Sequence, residues 1–401
     1  MFHCDSGFAR ECRRWLHQHP ELSNQEYNTA KFIREKLTEL GIDYQEVEKT
    51  GTFARIKGHR DNGRTILLRA DIDALPIEEQ TDLPYKSENP GVMHACGHDV
   101  HTAALLAAAK KLAELQDRFA GTVLLVFQQA EEMGHGSQYF REQGLLNNYD
   151  RAFGVHIAPD VPVGTVVFSC KEDAASCDFF RINLTGRKAH TSKPHLGRDA
   201  LQAGAVLVGE ISKLSGRLLP SDEPVNVGIG VFKAGTSYNI VADSALIEGS
   251  FRVFSEENRE KLKAKIHELA ENIAAVYGVQ AAVTYDCNAS PLINDEQARE
   301  EAAQIARKLL GEDKVTISEA PVFGFAADDF AEYIKDVPGV YAHVGTAREG
   351  SDSARVLHSE KLAPAEEAVE VAADLHINYA LNFLGQDKEY LSELDDTLAK
   401  I

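Results

Sequence analysis

The sequence predicts an α/β protein: a mostly parallel sheet flanked by helices, interrupted by an inserted ferredoxin-like βαββαβ unit. Three observations carry this prediction. Short β-branched and apolar runs alternate with helix-like stretches in the first third of the chain and again after about residue 289. Those runs lack polar alternation, as strands buried on both faces of a parallel sheet do. From about residue 177 to 288 the rhythm changes to strand, helix, two strands, helix, strand, the order of a ferredoxin-like unit.

The elements follow in order. Ser23, Asn24, Gln25 and Glu26 have the form of a capping box, and the amphipathic run after them stops at Gly41, where a helix end favours glycine. TFARIKG, TILLRADID, GTVLLVFQQAEE and RAFGVH read as strands, and HTAALLAAAKKLAEL as the helix among them. In the insert, the strands are CDFFRINLTG, VNVGIGVFKAG, SALIEGSFRVF and QAAVTYD; the helices are DALQAGAVLVGEISKL and EENREKLKAKIHELAENIAAVYG. EQAREEAAQIARKLLG, GVYAHVG and a long helix from about Pro364 complete the outer part. The expected organisation is one domain from 1–176 and 289–401, with 177–288 inserted.

Composition narrows the function classes. A chain of 401 residues with 44% hydrophobic content can bury an enzyme-sized core. A net charge of −20 with no basic run argues against nucleic acid as a partner. The N-terminus lacks the apolar core of a signal peptide, and no apolar stretch approaches the roughly 20 residues that span a bilayer. The expectation is a cytoplasmic protein without a membrane partner. Six cysteines at positions 4, 12, 96, 170, 177 and 287 do not suggest a disulfide framework. Cys96 is then free to act as a ligand.

Ligands of parallel α/β sheets bind beyond the carboxyl ends of the strands, and three strands here end in coordinating residues. TILLRA runs into Asp71, GTVLLVFQQA into Glu131 and Glu132, and RAFGV into His156. MHACGHDVHTA places Cys96 and His98 two residues apart, and the glycine between them permits the turn that aims both at one point. Alone, Cys96 could be a small buried apolar residue and His94 and His101 capping or packing groups. Adjacent carboxylates after an apolar strand need metal or hydrogen bonds to offset their repulsion, so one can bind metal while the other stays free as a base. Asp73 could simply cap a turn. His156 and His358 gain meaning only from this company.

RADIDALPI, MHACGHD, FQQAEE, GVHIAPDVPVGT, GRKAHTSKPHLGRD, AGTSYNIVADSALIEGSFR and VLHSEK occur in an order that resembles the co-catalytic metallo-amidohydrolases, the family of bacterial aminoacylases, hippurate hydrolases and auxin-conjugate hydrolases. The resemblance spans nearly the whole chain. It implies a zinc-exopeptidase-like catalytic domain, with the insert acting as lid and dimerisation domain. It also implies two divalent ions, Zn, Mn, Co or Ni, held by Cys96, His98, Glu132, His156 and His358, with the Cys96 thiolate between them. Glu131 falls on the family's general base, and His190 on the group that stabilises the tetrahedral oxyanion, in cis or from a partner subunit. Asn239 and Arg252 match substrate contacts, although Arg252 could equally make a structural ion pair. Asp71 and Asp73 match acids that support the ligands, and His195 reads as a loop residue or substrate-pocket filler. Two departures stand out: Gln129 where many members carry proline, and the AADDF stretch with Asp328. The implied reaction is removal of the acyl group from an N-acyl-L-amino acid. A dipeptidase on the same site, or a non-catalytic ligand-binding protein on this scaffold, are the alternatives. The insert's open sheet edges and the apolar helix face at ALQAGAVLVGEI suit symmetric pairing, so a homodimer through residues 177–288 is expected.

Overall fold

A computed structural model describes residues 1–351 and 353–385. These fall into two compact units: Met1–Asp173 with Ile293–Val322 and the described residues from Glu332, and Ala174–Leu292 with Phe323–Ala331. The part of the expected outer domain beyond residue 385 lies outside the described residues.

The first unit is built on an eight-stranded sheet. Its strands lie in the order Tyr44–Val47, Gly51–Lys57, Thr122–Gln128, Thr65–Asp71, Arg151–Pro162, Gly339–Ala347, Val166–Ser169, Val315–Ser318. The four central strands, Thr122–Gln128 to Gly339–Ala347, run parallel. Gly51–Lys57 is antiparallel to both its neighbours, which its pattern alone does not reveal: a three-residue link to Tyr44–Val47 leaves room for a hairpin and none for a crossover helix. Residues of the Thr65–Asp71, Thr122–Gln128 and Gly339–Ala347 strands are buried almost throughout. The helix His98–Glu114 is likewise buried over most of its length, consistent with its run of alanine and leucine between other elements. It packs against Ser6–Gln18 and Glu367–Leu384. The last helix begins at Glu367, three residues after Pro364.

The capping box does not form as expected. The helix begins at Tyr27, Glu26 occupies the position before it, and the Ser23 hydroxyl donates to Asp73 Oδ2 at 2.6 Å. The Glu21 carboxylate instead accepts from the backbone N–H groups of Asn28 and Thr29 at 3.1 and 2.8 Å. Ser23 and Glu26 are drawn away because their side chains find partners in the loops flanking other strands, at Asp73 for Ser23 and at Thr50 and Ala130 for Glu26. Gly41 does end this helix, with φ of +68°.

The second unit carries an antiparallel sheet in the order Gln280–Ala289, Cys177–Thr185, Ser244–Val253, Val225–Ala234. The helices Ala200–Ile211 and Glu256–Tyr277 cover one face, and Ile182, Leu184, Leu207, Ile247, Phe251, Leu262 and Ile266 form the core between. Phe323–Ala331, which the sequence pattern groups with the outer segments, clusters with this unit. The reason is local: Ala175 N–H donates to the carbonyls of Gly324 and Ala326 at 3.0 and 3.1 Å, and the Phe254 and Phe325 rings meet at 5.2 Å.

Candidate metal centre

Eight of the residues singled out in the sequence belong to the first unit and converge at the carboxyl ends of its parallel strands. Asp71 ends one strand, His156 lies within the next, and Glu131 and Glu132 follow a third. Gly97, at φ +84°, turns the chain so that Cys96 and His98 flank the start of the buried helix; a Cβ there would lie 2.3 Å from Ile157 Cδ1. His358 enters with φ of +60°, its N–H bonded to the Ala95 carbonyl at 2.8 Å.

The donor atoms form two overlapping groups. Cys96, His98 and His156 make one, and Cys96, Glu132 and His358 the other, the ligand atoms of each lying within 4.8 Å of one another. Cys96 is common to both. Its Sγ is 3.6 Å from His156 Nε2, and His358 Nε2 is 3.5 Å from Glu132 Oε2. Glu131 joins His98 and Glu132 in a third group, with Oε2 3.9 Å from His98 Nε2.

Hydrogen bonds fix the histidine tautomers. His98 Nδ1 donates to the Asp73 carbonyl at 2.9 Å, and His156 Nδ1 to the Ile157 carbonyl at 2.7 Å, which aims each Nε2 into the cluster. His98 Nε2 and Glu132 Oε1 are buried and make no hydrogen bond within the protein. Such orphaned atoms are costly unless a cation meets them, so the residues present fit two metal ions. His101 is already committed: Nε2 accepts from the Ile157 N–H at 3.0 Å and Nδ1 donates to Asp71 at 2.6 Å.

The surrounding acids are ordered for support. Burial would raise the Asp71 carboxyl, but His98, Arg69 and His101 hold it well below the usual range. Arg69, itself buried, reaches Asp71 at 2.5 Å. Asp73 is lowered against its burial by His98, Ser23 and the Glu132 N–H, the last at 3.1 Å. Burial pushes Glu132 up to about 7, with His98 opposing. Burial favours the neutral form of His156 and His358, whereas the acids around His98 outweigh its burial and raise it to about 10. Cations at the cluster would replace that proton and offset the carboxylate charge. His94 is buried beside this region and pushed down to about 4 by that burial.

Gln129 has a place of its own. Its side chain packs where a Cβ on Gly51 would lie 2.1 Å from Gln129 Oε1, and its Nε2 donates to the Val47 carbonyl at 3.5 Å.

His190, Asn239 and Arg252 belong to the second unit. Ser192 N–H donates to His190 Nδ1 at 3.1 Å, so the exposed Nε2 carries the proton. Asn239 lies beside it: its carbonyl accepts from Thr191 N–H at 3.1 Å, and Ser237 donates to its Oδ1 at 2.7 Å. Arg252 Nη1 donates to the Phe325 carbonyl at 2.9 Å. His195 is exposed on the same unit.

A fold and a site of this kind define a metal-dependent hydrolase with a dinuclear centre. The family model described as peptidase family M20/M25/M40 matches residues 67–382, and the chain belongs to that family. It is an amide-hydrolysing enzyme that uses two divalent metal ions. Among curated relatives it is 38% identical to the N-acetylcysteine deacetylase of Bacillus subtilis strain 168, covering 92% of this chain and 95% of that protein. It is 34% identical to thermostable carboxypeptidase 1 of Saccharolobus solfataricus, over 93% and 94% of the two chains. Among solved structures, a dinuclear metal-binding peptidase of the M20 family from Bacillus subtilis superposes with a TM-score of 0.80 at 35% identity, covering 94% of this chain and 98% of that one.

Proposed function

We propose that this enzyme removes the acyl group from N-acyl-L-amino acids, with Glu131 as general base. The observation that carries the reading is the pair of ligand triads sharing Cys96, with a second carboxylate, Glu131, against them. Cys96, His98 and His156 would hold one ion, and Cys96, Glu132 and His358 the other. When bound, the ions supply Lewis acidity toward a water and the amide carbonyl. Glu131 takes the proton of the attacking water and returns it to the leaving amine. Asp71 and Asp73 orient the ligands from behind. The Nε2–H of His190 suits the developing oxyanion, while Asn239 and Arg252 suit the substrate amide and α-carboxylate. The deacetylase relative supports an acyl substrate; the carboxypeptidase relative favours, as a second reading, cleavage of a dipeptide at the same site.

We also propose a homodimer through residues 177–288. Leu201, Val206, Phe232, Tyr238 and Ile240 are exposed on that unit, and Val225–Ala234 is an edge strand of its sheet. Light scattering at micromolar concentration tests this, and a monomer would exclude it. No helix among the described residues is long and apolar enough to cross a membrane. Among the described residues, Cys4, Cys12, Cys96, Cys170 and Cys177 form no disulfide, which suits a reducing compartment such as the cytoplasm.

Amine release from acetyl-methionine, hippurate, acetyl-diaminopimelate and dipeptides, with stripped enzyme reloaded with Zn, Mn, Co or Ni, tests the activity. Turnover restored by metal and lost in Glu131→Gln is the expected result. Bound metal without turnover on any of these would favour a non-catalytic binding protein.

A further inference from the structure

We infer that Glu26 is a positioning residue: its buried carboxylate holds the left-handed Ala130 peptide from which Glu131 enters the site. The inference rests on the reading of Glu131 as the base.

Glu26 is fully buried, and it makes no ion pair among the described residues. A carboxylate removed from water without a counter-ion is expensive unless hydrogen-bond donors surround it. Three do. Oε1 accepts the N–H of Ala130 at 3.0 Å and of Asn24 at 2.9 Å, and Oε2 accepts the Thr50 hydroxyl at 2.8 Å. Burial and the nearby Asp73 charge raise this carboxyl to about 7, against the pull of these donors.

The two N–H groups bound to Oε1 belong to residues in the same unusual state. Ala130 has φ of +53° and Asn24 of +63°, two of the four non-glycine residues with positive φ among those described. Left-handed backbone is disfavoured for alanine, which has no side-chain oxygen to stabilise it locally. At Ala130 this conformation turns the chain off its strand into the short Glu131–Met133 helix. The next ligand is secured differently, since the Glu132 N–H is held by Asp73. Loss of the Glu26 bond therefore frees the peptide before Glu131 while Glu132 keeps its own anchor. The effect should fall on turnover more than on metal binding.

The discriminating experiment compares Glu26→Gln, Glu26→Asp and Glu26→Ala, with and without Ala130→Gly. The readouts are kcat and KM on acetyl-methionine, or on whichever panel substrate turns over, together with metal content and thermal midpoint of the Zn- or Mn-loaded enzyme. Glutamine reaches as far as glutamate: Oε1 can still accept from Ala130, and Nε2 can donate to a reoriented Thr50 hydroxyl. Aspartate keeps the charge but falls one methylene short. We expect Gln to stay within about threefold of the parent kcat, and Asp and Ala to lose about 10- to 100-fold, as loss of a charge-assisted hydrogen bond implies. KM should change little, and both metals should be retained. Glycine at 130 adopts positive φ freely, so the loss caused by Glu26→Ala should shrink at least threefold in the Ala130→Gly background. If Glu26→Ala does not fold, the Gln and Asp variants decide the matter.

A kcat for Asp equal to or above that for Gln would overturn the inference, because charge and not reach would then be what matters. So would loss of metal in step with activity, or an Ala130→Gly background that leaves the penalty unchanged. Glu131→Gln separates the two levels: if it stays active, the base assignment is wrong, whereas an inactive Glu131→Gln beside a fully active Glu26→Asp refutes the role of Glu26 alone.

Discussion

Replacing Asp99 with asparagine should destabilise the first unit and flatten its response to alkaline pH. Asp99 follows the ligand His98 and is fully buried with Arg13 and His17. Its Oδ2 accepts from Arg13 Nε at 3.2 Å and from His17 Nδ1 at 2.9 Å, and His17 Nε2 reaches Glu79 at 3.3 Å. Two cations and two carboxylates thus neutralise one another out of water. The substitution would leave Arg13 facing a neutral amide, and breaking a buried pair in this way costs about 3–5 kcal/mol. At roughly 2–4 °C per kcal/mol for a unit of this size, the thermal midpoint should fall by about 6–20 °C. Burial lowers the His17 imidazole, but Asp99 and Glu79 more than compensate and raise it to about 9. A cation stabilised in the folded state contributes fully below its unfolded value of about 6.5, and that contribution is lost as pH rises through about 9. The gap corresponds to about 3 kcal/mol. Thermal unfolding of metal-saturated enzyme, followed by circular dichroism from about pH 6 to 9.5, reads both effects. The parent should lose stability steadily above about pH 6.5, while Asp99→Asn starts lower and declines less. A variant midpoint within about 2 °C of the parent, with a parallel pH slope, would refute the reasoning.

Three further outcomes are expected. Chelation should lower the thermal midpoint and excess Zn or Mn should restore it, since ligand at about 100 times its Kd stabilises by about 2.7 kcal/mol; an unchanged midpoint would mean that the cluster does not bind metal. Gly97→Ala should lose metal and about 1–3 kcal/mol of stability, because its Cβ meets Ile157 and its φ is +84°; atomic emission and calorimetry check this. Arg69→Met should cost about 3–5 kcal/mol by leaving Asp71 buried without its cation, and chemical denaturation would show it, with Asp71→Asn in the same background recovering part of the loss.

Most of the metal cluster was readable in the sequence because its residues follow apolar strands or sit in one short histidine-rich turn, and parallel strands bring their carboxyl ends to a common edge; His358, on a loop far from both, was marked only by the family resemblance of VLHSEK. The ferredoxin-like order was readable for a similar reason, each element having its own period and turn. What surrounds the ligands was not. Arg13 and His17 meet a partner more than 80 residues away, and Glu26 meets Ala130 across 104 positions. Nothing in the local pattern marks such pairs. Glu26 even carried a misleading sign, since Ser23 and Glu26 have capping-box spacing. The box fails because Asp73 and the Ala130 N–H are stronger competitors for those side chains than the helix end. The antiparallel Gly51–Lys57 strand was missed for a different reason: apolar content records burial, not direction.

The backbone exceptions share a logic with the tautomers. Of the four non-glycine residues with positive φ among those described, Asn24 and Ala130 are tied to Glu26, and His358 is itself a ligand candidate. A glycine would relieve the strain at each position, yet at 358 it would remove the imidazole. The same constraint governs the rings: His98 and His156 have their Nδ1 protons committed to carbonyls, so neither must reorient before meeting a cation. Hydrogen bonds within the protein thus set these ring and backbone orientations, which lowers the ordering that metal or substrate must supply. Local strain at Ala130 and His358 is what that preorganisation requires.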